Sequence, residues 1–99
     1  MIVAESQGGV PIRLTEERWR HITERHPELA TERERVMETL SEPDLVQGDR
    51  GELLASRFYA RTPVRTKHLV VAYRKLDASD GFILTACFAR RSSAPRWRP

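Results

Sequence analysis

From Leu14 onward the apolar positions recur first at a helical period and then at a strand period. Trp19, Ile22, His26 and Leu29 fall on one stripe, and the stretch Leu14-Thr15-Glu16-Glu17-Arg18-Trp19 has the make-up of a helix start. Thr15 supplies the cap, Glu16 and Glu17 occupy the positive first turn, and Leu14 closes over Trp19. Pro27 disfavours α geometry at His26 and ends the helix there. Val36, Met37 and Leu40 predict a second helix, opened by the capping-box spacing of Thr31-Glu32-Arg33-Glu34 and closed by Ser41-Glu42-Pro43. A short strand is expected over Asp44 to Gln47, a turn at Gly48-Asp49-Arg50-Gly51, and longer strands near Leu53 to Ala60, Lys67 to Leu76 and Phe82 to Ala89. Asp77 to Gly81 has the composition of a hairpin connection. In the last strand Phe82, Leu84, Ala86 and Phe88 share the face that best matches the helices, with Ile83, Thr85, Cys87 and Ala89 on the other. The alternation allows a polar face shared by Arg57, Tyr59 and Thr85 and leaves the register open. The expected fold is therefore α+β: two N-terminal helices packed on a mainly antiparallel four-stranded sheet.

At 99 residues the chain has material for a single domain over 1–99, with a core from Leu14 to Ala89 and a basic accessory tail over 90–99. The hydrophobic share of 39% against 31% charged places it with folded rather than disordered chains. The net charge of +3 is small, but its distribution is uneven. Acids concentrate between Glu16 and Glu52, whereas from Leu53 to the end only Asp77 and Asp80 stand against a series of arginines and lysines, which suits an anionic partner. Cys87 is the sole cysteine, so neither an internal disulfide nor a thiolate metal cluster can form, and a cytoplasmic setting is expected. Met1 to Gly9 lacks the features of a signal peptide and no apolar run reaches membrane-spanning length, so no membrane partner is expected.

His21 and His26 are five positions apart, about 140° around a helix, and do not make an i, i+4 metal pair. Glu24-Arg25-His26 is not the His-Glu-x-x-His pattern, and no glycine-rich phosphate loop is present, so neither a metal nor a cofactor is expected. His26, at a helix end, can transfer protons or simply close the junction before Pro27. His21 beside Arg18 and Arg25 is a second proton-transfer candidate or part of a solvated basic face. Arg57 can neutralise a phosphate oxygen and Tyr59 can donate a hydrogen bond or stack on a base, although both also suit an ordinary sheet surface. Arg61, Arg65 and Lys67 surround the loop Thr62-Pro63-Val64, where they can track a phosphate backbone or solvate the loop. The Thr85 hydroxyl needs a partner in an apolar strand, either a reacting group to orient or a backbone carbonyl. Trp19, Phe58, Tyr73, Phe82 and Phe88 read as core aromatics.

Taken in order, Glu17-Arg18-Trp19-Arg20-His21-Ile22, Arg25-His26-Pro27-Glu28-Leu29, Glu42-Pro43-Asp44-Leu45-Val46, Leu69-Val70-Val71 and Ile83-Leu84-Thr85-Ala86 resemble a phage- and toxin-associated nuclease-like domain of the barnase, EndoU, colicin ribonuclease and RelE superfamily. The most distinctive piece is Trp-x-His-Ile-x-x-x-His-Pro-Glu, from Trp19 to Glu28. The resemblance implies two helices before a sheet that binds RNA, and metal-independent cleavage by 2′-hydroxyl attack to give a cyclic phosphate. It implies RNA as partner, with a cognate inhibitor protein as a candidate second one. The family-like positions fall on His21, His26 and Thr85, while Cys87 departs from the aromatic residue that often follows Thr-Ala in such domains. Joined to the reading of the residues themselves, this gives His21, His26, Arg57 and Thr85 as candidate catalytic groups and Tyr59, Arg61, Arg65 and Lys67 as candidate substrate contacts. The alternative is a noncatalytic protein- or RNA-binding domain of the same fold.

Overall fold

The computed structural model describes residues 2–49 and 52–90; the accessory segment expected over 91–99 lies outside them. Its first elements are two short strands, β1 (Ile2–Glu5) and β2 (Pro11–Leu14), which pair antiparallel across a turn with Gly9 at φ 83°. Both alternate in burial, with Ala4, Ile12 and Leu14 directed to the core. Helix α1 (Glu16–Arg25) follows at once, and the Thr15 hydroxyl accepts from the Arg18 N–H at 3.0 Å, as its sequence predicts. Its last turn is closed by the His26 N–H donating to the Ile22 carbonyl, after which Pro27–Leu29 forms a 3-10 turn.

Helix α2 (Arg33–Ser41) begins with Glu32 at its cap and no side-chain capping bond, so the expected capping box at Thr31 is not made. Thr31 lies instead 3.3 Å from the Glu32 carboxylate. Val36, Thr39 and Leu40 are its buried face, packed on β1 and on the later strands β4 (Glu52–Phe58) and β5 (His68–Asp77). β3 (Leu45–Asp49) and β6 (Asp80–Ala89) complete the sheet.

The sheet has six strands in the order β1-β2-β6-β5-β4-β3, and β2 runs parallel to β6 through the pair Arg13↔Phe82. This corrects the expected four-stranded antiparallel sheet. The meander β3-β4-β5-β6 is antiparallel as expected, but the N-terminal hairpin joins it on the open side of β6 and makes the sheet mixed. Arg13 fastens the join with a two-pronged contact to Asp80, at 2.9 and 3.1 Å.

The helices cover one face, where Ile12, Leu14, Ala55, Leu69, Val71, Tyr73, Ile83 and Ala86 meet Trp19, Ile22, Leu29, Val36 and Leu40. The pairing in β6 slips between Thr85, opposite Ala72, and Ile83, opposite Tyr73, so Leu84 is an extra residue in a bulge. The helix-facing set of β6 is accordingly Ile83, Ala86 and Phe88 rather than the unbroken series Phe82, Leu84, Ala86, Phe88. On the other face run the rows Leu45–Ser56–Val70–Cys87 and Phe58–His68–Ala89. No helix among the described residues is long and apolar enough to cross a membrane.

Candidate functional site

Because β2 is parallel to β6 and ends at Leu14, the chain continues into α1 along the flank of β6 beyond Phe82. The two elements pack together and leave a cleft of about 220 Å³ lined by Arg18, His21, Ile22, Arg25, Leu84 and Thr85. The i, i+3 and i+7 spacing of Arg18, His21 and Arg25 puts them on one side of α1, with Ile22 beside them at the boundary with the core and Trp19 packed into the core. The bulge allows Leu84 and Thr85 to reach the lining together.

Among the described residues neither Arg18 nor Arg25 has an acidic partner. His21 is 56% exposed, with Nε2 4.0 Å from Glu17 Oε1 one turn earlier. This end of the molecule thus joins two guanidinium groups, an imidazole, a carboxylate and a hydroxyl, walled by Ile22 and Leu84. It can hold a monoanionic phosphate ester and exchange a proton with it.

The other candidates are placed elsewhere. His26 lies at the α1 C-terminus, its Nδ1 3.8 Å from Glu28, and is not among the residues lining the cleft. Arg57 and Tyr59 continue the helix-facing phase of Leu53 and Ala55, whereas Thr85 pairs with Ala72 of the opposite phase. The register therefore does not produce the shared polar face of Arg57, Tyr59 and Thr85. Arg57 donates to the Glu42 carbonyl and approaches Glu38 at 3.7 Å. The Tyr59 hydroxyl donates to Glu38 at 2.7 Å, and its ring lies 4.7 Å from the Arg35 guanidinium and 5.7 Å from that of Arg57. Burial, reinforced by the Glu38 carboxylate, pushes the Tyr59 phenol up to about 12. These contacts tie α2 along its length to the end of β4.

Arg61 lends its carbonyl to Arg35. Arg65 and Lys67 line a separate hollow of about 260 Å³ with Phe58, Thr66, His68 and Arg90. Phe58, expected in the core, is instead 51% exposed there. The missed residues, Phe58, His68 and Arg90, carried one readable signal: Arg57 and Phe58 must point to opposite faces, and a buried Arg57 side leaves Phe58 outside. No family model, curated protein or solved structure matches the chain.

Proposed function

We propose that this domain binds single-stranded RNA and cleaves it at the cleft between α1 and β6. The observation that carries the proposal is the meeting of Arg18, His21, Arg25 and Thr85 in one cleft, with neither arginine in an ion pair among the described residues. The motif resemblance and the excess of cations after Leu53 support RNA as the substrate.

Arg18 and Arg25 hold the phosphate oxygens, and Ile22 and Leu84 reduce the water around them, which strengthens their pull on the charge that builds at phosphorus. His21 takes the 2′-hydroxyl proton as that oxygen bonds to the adjacent phosphorus. It returns a proton to the 5′ oxygen as the P–O5′ bond breaks, so the imidazole ends as it began. The products are a 2′,3′-cyclic phosphate and a 5′-hydroxyl. Glu17 offsets the positive charge on the ring midway, and Thr85 orients a phosphate oxygen. Arg57 and Tyr59 serve the α2–β4 junction in this reading, and His26 the end of α1.

The purified chain is expected to cleave unstructured RNA in the presence of a chelator and to leave 2′-deoxy substrate intact. His21→Ala should lower turnover by roughly 10²- to 10⁴-fold, the usual range for a lost proton-transfer group, while folded His26→Ala keeps it. Activity that requires added metal, or equal cleavage of the 2′-deoxy strand, rejects the mechanism. A second reading, RNA binding without cleavage, is favoured by the 4.0 Å Glu17–His21 separation, which is too long for a hydrogen bond that would orient the ring. Salt-sensitive RNA binding with no cyclic-phosphate product across varied sequences would select it.

A further inference from the structure

The hollow at the opposite end of β6 has a composition that the cleavage chemistry does not use. It is bounded by Phe58 at the end of β4, by Arg65, Thr66 and Lys67 from the following loop, by His68 at the start of β5 and by Arg90 just after β6. No acidic residue lines it, and Arg65, Lys67 and Arg90 make no ion pair among the described residues. A lone exposed phenylalanine is ordinary surface. Here about half of the Phe58 surface is exposed beside three cations that make no ion pair among the described residues.

The aromatic pair is held in place. Phe58 and His68 face each other across β4 and β5, with ring centroids 5.5 Å apart and planes at 67°, so they meet edge to face rather than covering one another. His68 Nδ1–H donates to the Arg90 carbonyl at 3.1 Å, which fixes the ring and leaves Nε2 of the neutral imidazole as an acceptor. The loop is also organised. The Tyr59 N–H donates to the Lys67 carbonyl at 2.7 Å, and the Thr62 hydroxyl is shared between the Val64 and Thr66 carbonyls at 2.5 and 2.8 Å.

We infer that this hollow is a nucleotide subsite for single-stranded nucleic acid: one unstacked base lies on Phe58 beside His68, and its flanking phosphates meet Arg65, Lys67 and Arg90. Bases in a duplex are stacked on each other and cannot reach such a ring, whereas a single strand offers a π face with every residue. The subsite reads a π face and phosphates, and nothing in it calls for a 2′-hydroxyl, so single-stranded RNA and DNA bind alike. From Thr85 to Arg90 the strand covers about 17 Å, so one strand lying along β6 spans both the subsite and the cleft.

Binding of labelled oligoadenylate and oligodeoxyadenylate, followed by fluorescence anisotropy on the full chain carrying His21→Ala, tests this without loss of substrate. Phe58→Ala and Phe58→Leu should each raise Kd for both strands by roughly 5- to 150-fold, the span of one base–aromatic stack, while Phe58→Tyr stays close to the parent. Lys67→Ala should reduce the slope of log affinity against log salt by roughly 0.7. The subsite is refuted by an unchanged Kd in Phe58→Ala, by a duplex that binds as tightly as the single strands, or by no binding to either strand. Polyglutamate that competes as well as oligoadenylate, with no dependence on Phe58, also refutes it and points to an acidic protein segment. Phe58-dependent binding in a chain that never cleaves RNA would remove the cleavage proposal alone; cleavage with no Phe58 effect would remove only the subsite.

Discussion

Tyr59 shows how one side chain can look like a substrate contact and act as a joint. Its hydroxyl is committed to Glu38, its ring lies near the guanidinium groups of Arg35 and Arg57, and burial raises its ionisation to about 12 against the ordinary value of 10.0. The folded form holds the proton more tightly than the unfolded chain, so this contribution to stability is full below about pH 10 and is lost as the pH rises through about 12. Denaturant midpoints measured across that window should fall with pH, and Tyr59→Phe should flatten the fall while leaving a remainder from Tyr73, whose phenol is also raised by burial. A slope unchanged in Tyr59→Phe would place the titration elsewhere. At lower pH the same substitution should cost about 0.5–1.5 kcal/mol for the lost hydrogen bond. Arg57 was as readable as Tyr59 in chemical type and equally hidden in role, because its partners, Glu38 and the Glu42 carbonyl, lie on another element.

At the scale of elements, local chemistry was legible where one residue decides the outcome. Thr15 caps α1, Pro27 stops it at His26, and the β3 to β6 meander lies close to where alternation puts it. The two N-terminal strands were missed because four residues each give too short a pattern to stand out, although Ile2–Glu5 and Pro11–Leu14 do alternate. Their parallel pairing with β6 leaves no local mark at all. The Leu84 bulge was equally hidden, and it is what turns Ile83 to the helix-covered face when strict alternation groups it with Thr85 on the other. Of the candidate site, Arg18, His21, Arg25 and Thr85 were readable as types; their meeting required the parallel join. Gly48 offers a test of the β3–β4 hairpin. Its φ is 135° and a Cβ there would stand 2.2 Å from the Glu52 carbonyl oxygen, so Gly48→Ala should destabilise the domain by about 1–3 kcal/mol in equilibrium unfolding. An unaltered midpoint would show that the hairpin tolerates another path.

For the molecule as a whole, the defining contact is between its second strand and its last. Arg13 and Phe82 pair across 69 positions of sequence, and the Arg13–Asp80 bridge reinforces the same join. Such a contact carries a large loop-closure cost and tends to form late in folding. Arg13→Ala is therefore expected to speed unfolding while leaving the refolding rate nearly unchanged, and a stopped-flow chevron in which the refolding arm slows instead would put the join in the nucleus. The same arrangement sets an order of events on the ribosome. The first hairpin leaves the exit tunnel with β6, the strand it joins among the described residues, still to be made. It must wait beside α1 and α2 until residues near Phe82 have been translated, so the cleft that the parallel join creates comes into being among the last features of the nascent domain. If the domain cleaves RNA as proposed, that order of assembly would keep it inactive throughout most of its own synthesis.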